Sequence, residues 1–150
     1  MSLQTEVMNA MKMAMKEKDQ MALAALRAIK SEILLAQTAS SSSEVLTEDE
    51  ELKILSKLVK QRKDSAAIFK EQNRNDLAEP ELAQAEIISQ FLPEQVSEDE
   101  IGVVVERVIA EINADGMKDM GKVMGMVNKE LAGKADGKTI STIVKTKLMS

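Results

Sequence analysis

The segment Ala132-Gly133-Lys134-Ala135-Asp136-Gly137-Lys138-Thr139 has the spacing of a phosphate-binding loop if alanine stands for the first glycine. Such a loop works because a buried strand delivers the turn, glycine-exposed amides cradle the anion and a helix N-terminus receives its charge. Met120 to Leu131, just before it, carry apolar residues at helical spacing, and nothing in the chain reads as a parallel-sheet strand. The spacing therefore predicts a loop in which Asp136 caps the following helix, and no nucleotide site. The run Ser40 to Ser43 invites comparison with the nucleophile segment of amidases. It has no glycine to bring backbone amides against an oxyanion, and reads as a solvated linker.

A third constellation is basic. At 100° per residue, Lys53, Lys57, Lys60, Lys63, Lys70 and Arg74 share one helical sector, and Leu52, Leu55, Leu58, Val59, Ala66 and Phe69 the opposite one. Arg62 falls inside the apolar sector, where an unpaired guanidinium would cost on the order of several kcal/mol. It must find a carboxylate, with Glu32, Asp64 and Glu86 as the choices, or line a cleft. A buried pair predicts a loss of about 3–5 kcal/mol on Arg62→Ala, because the partner would be stranded. Arg27 and Lys30 lie close to the apolar stripe of the preceding helix, so Arg27, Lys30, Lys60, Arg62 and Lys63 form a candidate groove. The plainer reading is internal pairing plus a solvated lysine face.

Composition narrows the chemistry further. The 150 residues include no His, Cys, Trp or Tyr, and only Phe69 and Phe91 as aromatics. That excludes a Ser-His-Asp triad, a cysteine nucleophile, thiolate or imidazole metal sites and disulfides, and leaves Asp, Glu or Lys as any general base. Stacking platforms for unpaired bases are missing too. No metal and no cofactor are expected. The eleven methionines stand mostly at core spacing and read as flexible filler. No apolar run approaches the roughly 20 residues that span a bilayer, and the first residues lack a leader pattern. The expectation is a soluble, cytoplasmic protein with no membrane partner.

The elements that must position these residues are helices. The first hundred residues hold both prolines, no glycine, and an abundance of Ala, Leu, Met, Lys, Glu and Gln. Apolar spacing predicts helices over 3–17 and 20–38, with Asp19 capping the second. Thr47 to Glu50 forms a capping box that opens a third helix through about Asn73. Asn75-Asp76 is expected to stop that helix and start a fourth over 77–92, which takes Pro80 in its first turn and ends at Pro93. A second capping box, Ser97 to Glu100, with Val96 and Ile101 as a staple, opens a fifth helix. Five glycines from Gly116 to Gly137 then separate two shorter helices. The result is an all-α chain with a four-helix unit over 1–93 and a three-helix unit over 94–150, the latter small enough to be marginal alone. Charge divides unevenly: residues 1–74 carry +1, 75–115 carry −10 and 116–150 carry +4. A uniform nucleic-acid coat is excluded, and DNA is not an expected partner; local basic faces remain.

Several motifs in this frame resemble the GatB/YqeY-like proteins, free-standing relatives of the tail of the B subunit of glutamine-dependent tRNA amidotransferase. They are Leu26-Arg27 with Lys30, Leu46 to Glu51, Lys60 to Ser65 and Phe91-Leu-Pro-Glu-Gln95, and above all Asp119-Met-Gly-Lys-Val-Met-Gly125 with Gly133-Lys-Ala-Asp-Gly137. Where members usually carry Pro-Lys after the glycine-bearing helix, this chain has Asn128-Lys129. The resemblance spans almost the whole chain. It implies an all-helical fold with an amidotransferase-tail-like end, and tRNA as partner, since that tail helps hold tRNA. It points to carbon-nitrogen ligase complexes while placing their catalytic centres elsewhere, so no catalytic residue is expected here. An amidotransferase or an aminoacyl-tRNA synthetase would be the natural protein partner. Lys118, Lys122, Lys134 and Lys138, beside the glycines, are the candidate phosphate contacts. The alternative is a protein-interaction module docking through the acidic middle segment or an exposed methionine face.

Overall fold

The computed structural model describes residues 2–39 and 45–150, so the serine run falls outside the described residues. Among the described residues there are seven α-helices and no strand. They are α1 (Leu3–Glu17), α2 (Gln20–Ala39), α3 (Glu48–Glu71), α4 (Asn75–Ser89), α5 (Glu98–Ile112), α6 (Met120–Glu130) and α7 (Gly137–Met149), with one 3₁₀ turn at Met117–Asp119 before α6. The chain is all-α, with four helices followed by three. It separates into two compact units, Met1–Leu92 and Pro93–Ser150.

Short-range hydrogen bonds set most helix starts. Asp19 Oδ1 accepts the Ala22 N–H at 3.0 Å and opens α2. At α3 the capping box closes in both directions: Glu50 N–H donates to Thr47 Oγ1 at 3.2 Å and Thr47 N–H to Glu50 Oε2 at 2.8 Å. Ser97 makes one arm of the second box, its Oγ accepting the Glu100 N–H at 3.1 Å, while Ile101 is buried in the core of the second unit and Val96 packs against that core. Asp136 caps α7 by accepting the Thr139 N–H, so the phosphate-loop-like segment is a loop between two helices.

The α3–α4 junction differs from expectation. Asn73, not Asn75, makes the break: it takes φ 59°, and the Arg74 N–H reaches back to Phe69 O at 2.8 Å while the Asn73 N–H bonds Lys70 O. This left-handed cap is open to Asn because its short side chain tolerates positive φ. Two consequences follow. Arg74 leaves the lysine sector of α3 and pairs with Asp76 at 3.0 Å, and Pro80 becomes the sixth residue of α4, past the first turn. The helix therefore lacks the amide that would have bonded the Asp76 carbonyl. It also ends at Ser89, before Pro93.

In the first unit, α3 and α4 pack as a helical hairpin and α2 lies against α1, α3 and α4. Its core draws on Leu3 and Val7 of α1, Leu26 and Ile29 of α2, Leu55 and Leu58 of α3, and Ile88 of α4. In the second unit α7 packs on α5 and α6 around Val105, Val108, Val123, Val127, Ile140 and Val144. No helix is long and apolar enough to cross a membrane among the described residues.

One carboxyl in the first unit gives a pH prediction. Burial holds Glu51 above the usual carboxylate range; the Leu3 N–H opposes this, and Glu48 and Glu6 reinforce it. The folded state thus keeps this proton more tightly than the unfolded chain. Its contribution is fully present below the unfolded value of about 4.3 and is lost as pH rises through the raised folded value. Relative to the parent chain, Glu51→Gln should gain in urea midpoint as pH rises from about 4 to about 7. A constant difference across that range would contradict the assignment.

Candidate functional site

The candidate lysines stand around α6. Lys118 lies in the 3₁₀ turn before it, Lys122 in its first turn, Lys134 in the loop after it and Lys138 in the first turn of α7. All four are exposed. Lys118 Nζ lies 3.6 Å from the Asp115 carboxylate, a pair exposed enough to be given up at little cost. Lys122, Lys134 and Lys138 have no ionic partner among the described residues. Eleven residues at about 1.5 Å each make α6 roughly 16 Å long, so the four form two pairs at opposite ends of this helix.

Local structure fixes both ends. Asp119 Oδ2 accepts the Asp115 N–H at 2.7 Å and holds the turn that carries Lys118. At the other end Gly133 has φ 74°, a conformation that would strain any side chain, and this lets the chain turn directly after α6. Gln95 Nε2 donates to Gly133 O at 2.7 Å and to Pro93 O at 2.9 Å, and the Val96 N–H donates to Lys134 O at 2.9 Å. Two motifs 38 residues apart are thereby locked together. In the sequence Gln95 stands out only as part of a motif, because no local signal shows a side chain spending its donors on a distant turn.

The glycines are not all loop residues. Gly121 and Gly125 lie within α6, and a Cβ at either would meet nothing within 4 Å. One turn apart, they leave this exposed side of α6 low beside Lys122. Nearby, Arg107 of α5 bonds Glu111 at 3.0 Å and also the Glu130 carboxylate at the end of α6, tying these helices together. The one cation of the acidic block is thus consumed internally.

The basic groove on the first unit is placed as follows. Arg27 is exposed and Lys30 half-buried on α2; Lys60 and Lys63 are exposed on α3, with Lys60 paired to Asp64 at 3.1 Å. Arg62 is half-buried, but no carboxylate meets it. Its Nε donates to Gln84 Oε1 of α4 at 3.0 Å and its Nη1 to the Leu58 carbonyl at 3.1 Å. The expected buried ion pair is therefore replaced by two neutral acceptors, because α4 presents Gln84, and not Glu86, toward α3. No hydrogen bond or ion pair joins Arg27 or Lys30 to Arg62 among the described residues. With no carboxylate to strand, Arg62→Ala should cost about 1–2 kcal/mol, the worth of two hydrogen bonds and some stem packing, well below a broken buried pair. A urea melt showing a loss of about 3 kcal/mol or more would reinstate a hidden charge partner.

Comparison with known proteins sets this geometry in a family. The chain is 35% identical over 125 residues to the altered inheritance of mitochondria protein 41 of Clavispora lusitaniae, covering 81% of this chain and 72% of that protein. The protein of the same name from Pyrenophora tritici-repentis is 32% identical over 128 residues, covering 83% and 68%. A shorter match, 34% over 73 residues, covers 46% of this chain and 12% of the E subunit of glutamyl-tRNA(Gln) amidotransferase from Thermococcus gammatolerans. The model of the Yqey-like proteins matches residues 4–148, so nearly the whole chain, both helical units included, belongs to that family.

Proposed function

We propose that the protein is a cytoplasmic, tRNA-associated accessory factor without a catalytic centre of its own, in which residues 94–150 act as an amidotransferase-tail-like unit. The carrying observation is the set of exposed, ionically unpartnered Lys122, Lys134 and Lys138 around α6 among the described residues, joined by the weakly paired Lys118. Residues 116–150 carry seven Lys and no Arg, Trp or Tyr. They offer point charges for phosphates but no planar forks or rings to tell bases apart. The reading is therefore shape and backbone recognition of a structured RNA. The partial likeness to a protein named for glutamyl-tRNA(Gln) amidotransferase supports tRNA as that RNA.

Titration with tRNA at several salt concentrations tests this. Binding should be present at low salt, with a slope of about −3 in log affinity against log salt, four phosphates releasing roughly 0.7–0.9 ions each. No binding at low salt would overturn it. The second reading, a protein-interaction module on an amidotransferase or an aminoacyl-tRNA synthetase, is favoured by the −10 charge of residues 75–115, which repels RNA at long range. The groove on Arg27, Lys30, Lys60, Arg62 and Lys63 would then serve either partner as a secondary basic face.

A further inference from the structure

Away from the lysines, α5 and α7 enclose a groove of about 330 Å³. One wall is α5, where Asp99, Val103 and Glu106 recur at helical spacing with Glu98 beside them; the other is α7, with Thr142, Ile143 and Thr146. Gly102 keeps the floor low. The Lys147 stem lies against it, with Cε 3.7 Å from where a Cβ would stand, and its Nζ reaches Glu106 Oε1 at 2.6 Å. That pair fills one end of the groove. Glu98 and Asp99 stay exposed with no ionic partner among the described residues.

The chemistry of the lining is one-sided. Thr142 and Thr146 donate their hydroxyl protons to the Lys138 and Thr142 carbonyls within α7, at 3.0 and 2.9 Å. They present only oxygen lone pairs and methyl groups to the groove. Lys147 is the one cation of the lining and is paired with Glu106, so the groove offers acceptors, net negative charge and apolar surface. Val103 is 65% exposed although α5 carries a complete core stripe without it. A phosphate ligand would meet Glu98 and Asp99 as repulsion. A metal ion is no better served: among the described residues no group of three acidic side chains could hold one.

We infer that this groove docks a basic, amphipathic helical segment of a partner protein, with an Arg or Lys held by Glu98 and Asp99 and an aliphatic side chain covering Val103 and Ile143. Asp99 and Val103 are one helical turn apart, so the matching cation and aliphatic group sit one turn apart on the ligand. Charge complementarity selects the occupant, and the exposed valine supplies the apolar anchor. This surface is separate from the lysine pairs and stands whether or not they bind tRNA.

The test uses the full chain, isotopically labelled for amide NMR, and a capped helical peptide with Arg and Leu one turn apart. Saturable shifts should be confined to residues 98–106 and 142–147 and weaken with salt, and a peptide with Glu in place of Arg should not bind. Changing Glu98→Gln, Asp99→Gln and Val103→Ser together should weaken binding tenfold or more, and the two carboxylate changes alone at least threefold, which keeps the test decisive if the triple variant folds poorly. Any of four results would overturn the proposal: no saturable shift at millimolar peptide; shifts equally strong at Glu79, Glu81 and Glu86 of α4; unchanged affinity in both variants; or groove shifts that track protein concentration without peptide, marking a second copy as occupant.

Discussion

Changing Lys118, Lys122, Lys134 and Lys138 together to Gln is expected to lower tRNA affinity about a thousandfold at roughly 0.1 M salt and to flatten the salt slope from about −3 toward zero, because nearly all of the affinity is counterion release. The side chains are exposed and none caps a helix, so the fold should persist with an unchanged circular dichroism spectrum. Because the lysines sit in two pairs at the ends of α6, neutralising Lys118 and Lys122, or Lys134 and Lys138, should each remove about half the slope. Lys118, which must first leave Asp115, should contribute least. Binding that survives all four changes would move the site off this unit. Loss from a single pair with no effect from the other would mean that α6 is approached from one end only.

Truncating the core of the second unit should have the largest effect on stability. Ile140 is buried to 1% exposure near the start of α7, among the nine buried residues that form this core. Ile140→Ala should cost about 2–5 kcal/mol in lost transfer energy and cavity. A unit of about 58 residues has on the order of 3–9 kcal/mol to lose at the usual 0.05–0.15 kcal/mol per residue. Removing the methyl and ethyl branches of this one side chain therefore costs an amount comparable to the whole stability expected of the unit. Amide exchange should show protection lost across residues 98–149, while Val103→Ala, on the exposed side of α5, should shift the urea midpoint by no more than about 0.5 kcal/mol equivalent. Equal effects from the two changes would contradict the assigned face of α5.

The all-α class and most helix boundaries were legible in the sequence because their causes are local. A cap such as Thr47 with Glu50, or Asp136 with Thr139, is complete within four residues. An apolar stripe such as Ile101, Val105 and Val108 announces its face by spacing alone. Even the misplaced α3–α4 junction failed locally: Asn73 and Asn75 both suit a left-handed cap, and only the reach of the Arg74 amide to Phe69 chose between them. The family motifs were equally readable, since they are strings of residues.

What joins those strings was decided by the tertiary structure. Arg62 met Gln84 across 22 positions, Arg107 met Glu130 across 23 and Gln95 met Gly133 across 38. Each pairing depends on the rotation and offset of one packed helix against another. Gln84 and Glu86 stand about 200° apart around α4, so the rotation of that helix decides which of them meets Arg62, and no spacing rule within either helix carries that information. The α5–α7 groove has the same origin. Val103, Thr142 and Ile143 are unremarkable in sequence and become a surface only when Gly102 lets Lys147 lie between the two helices.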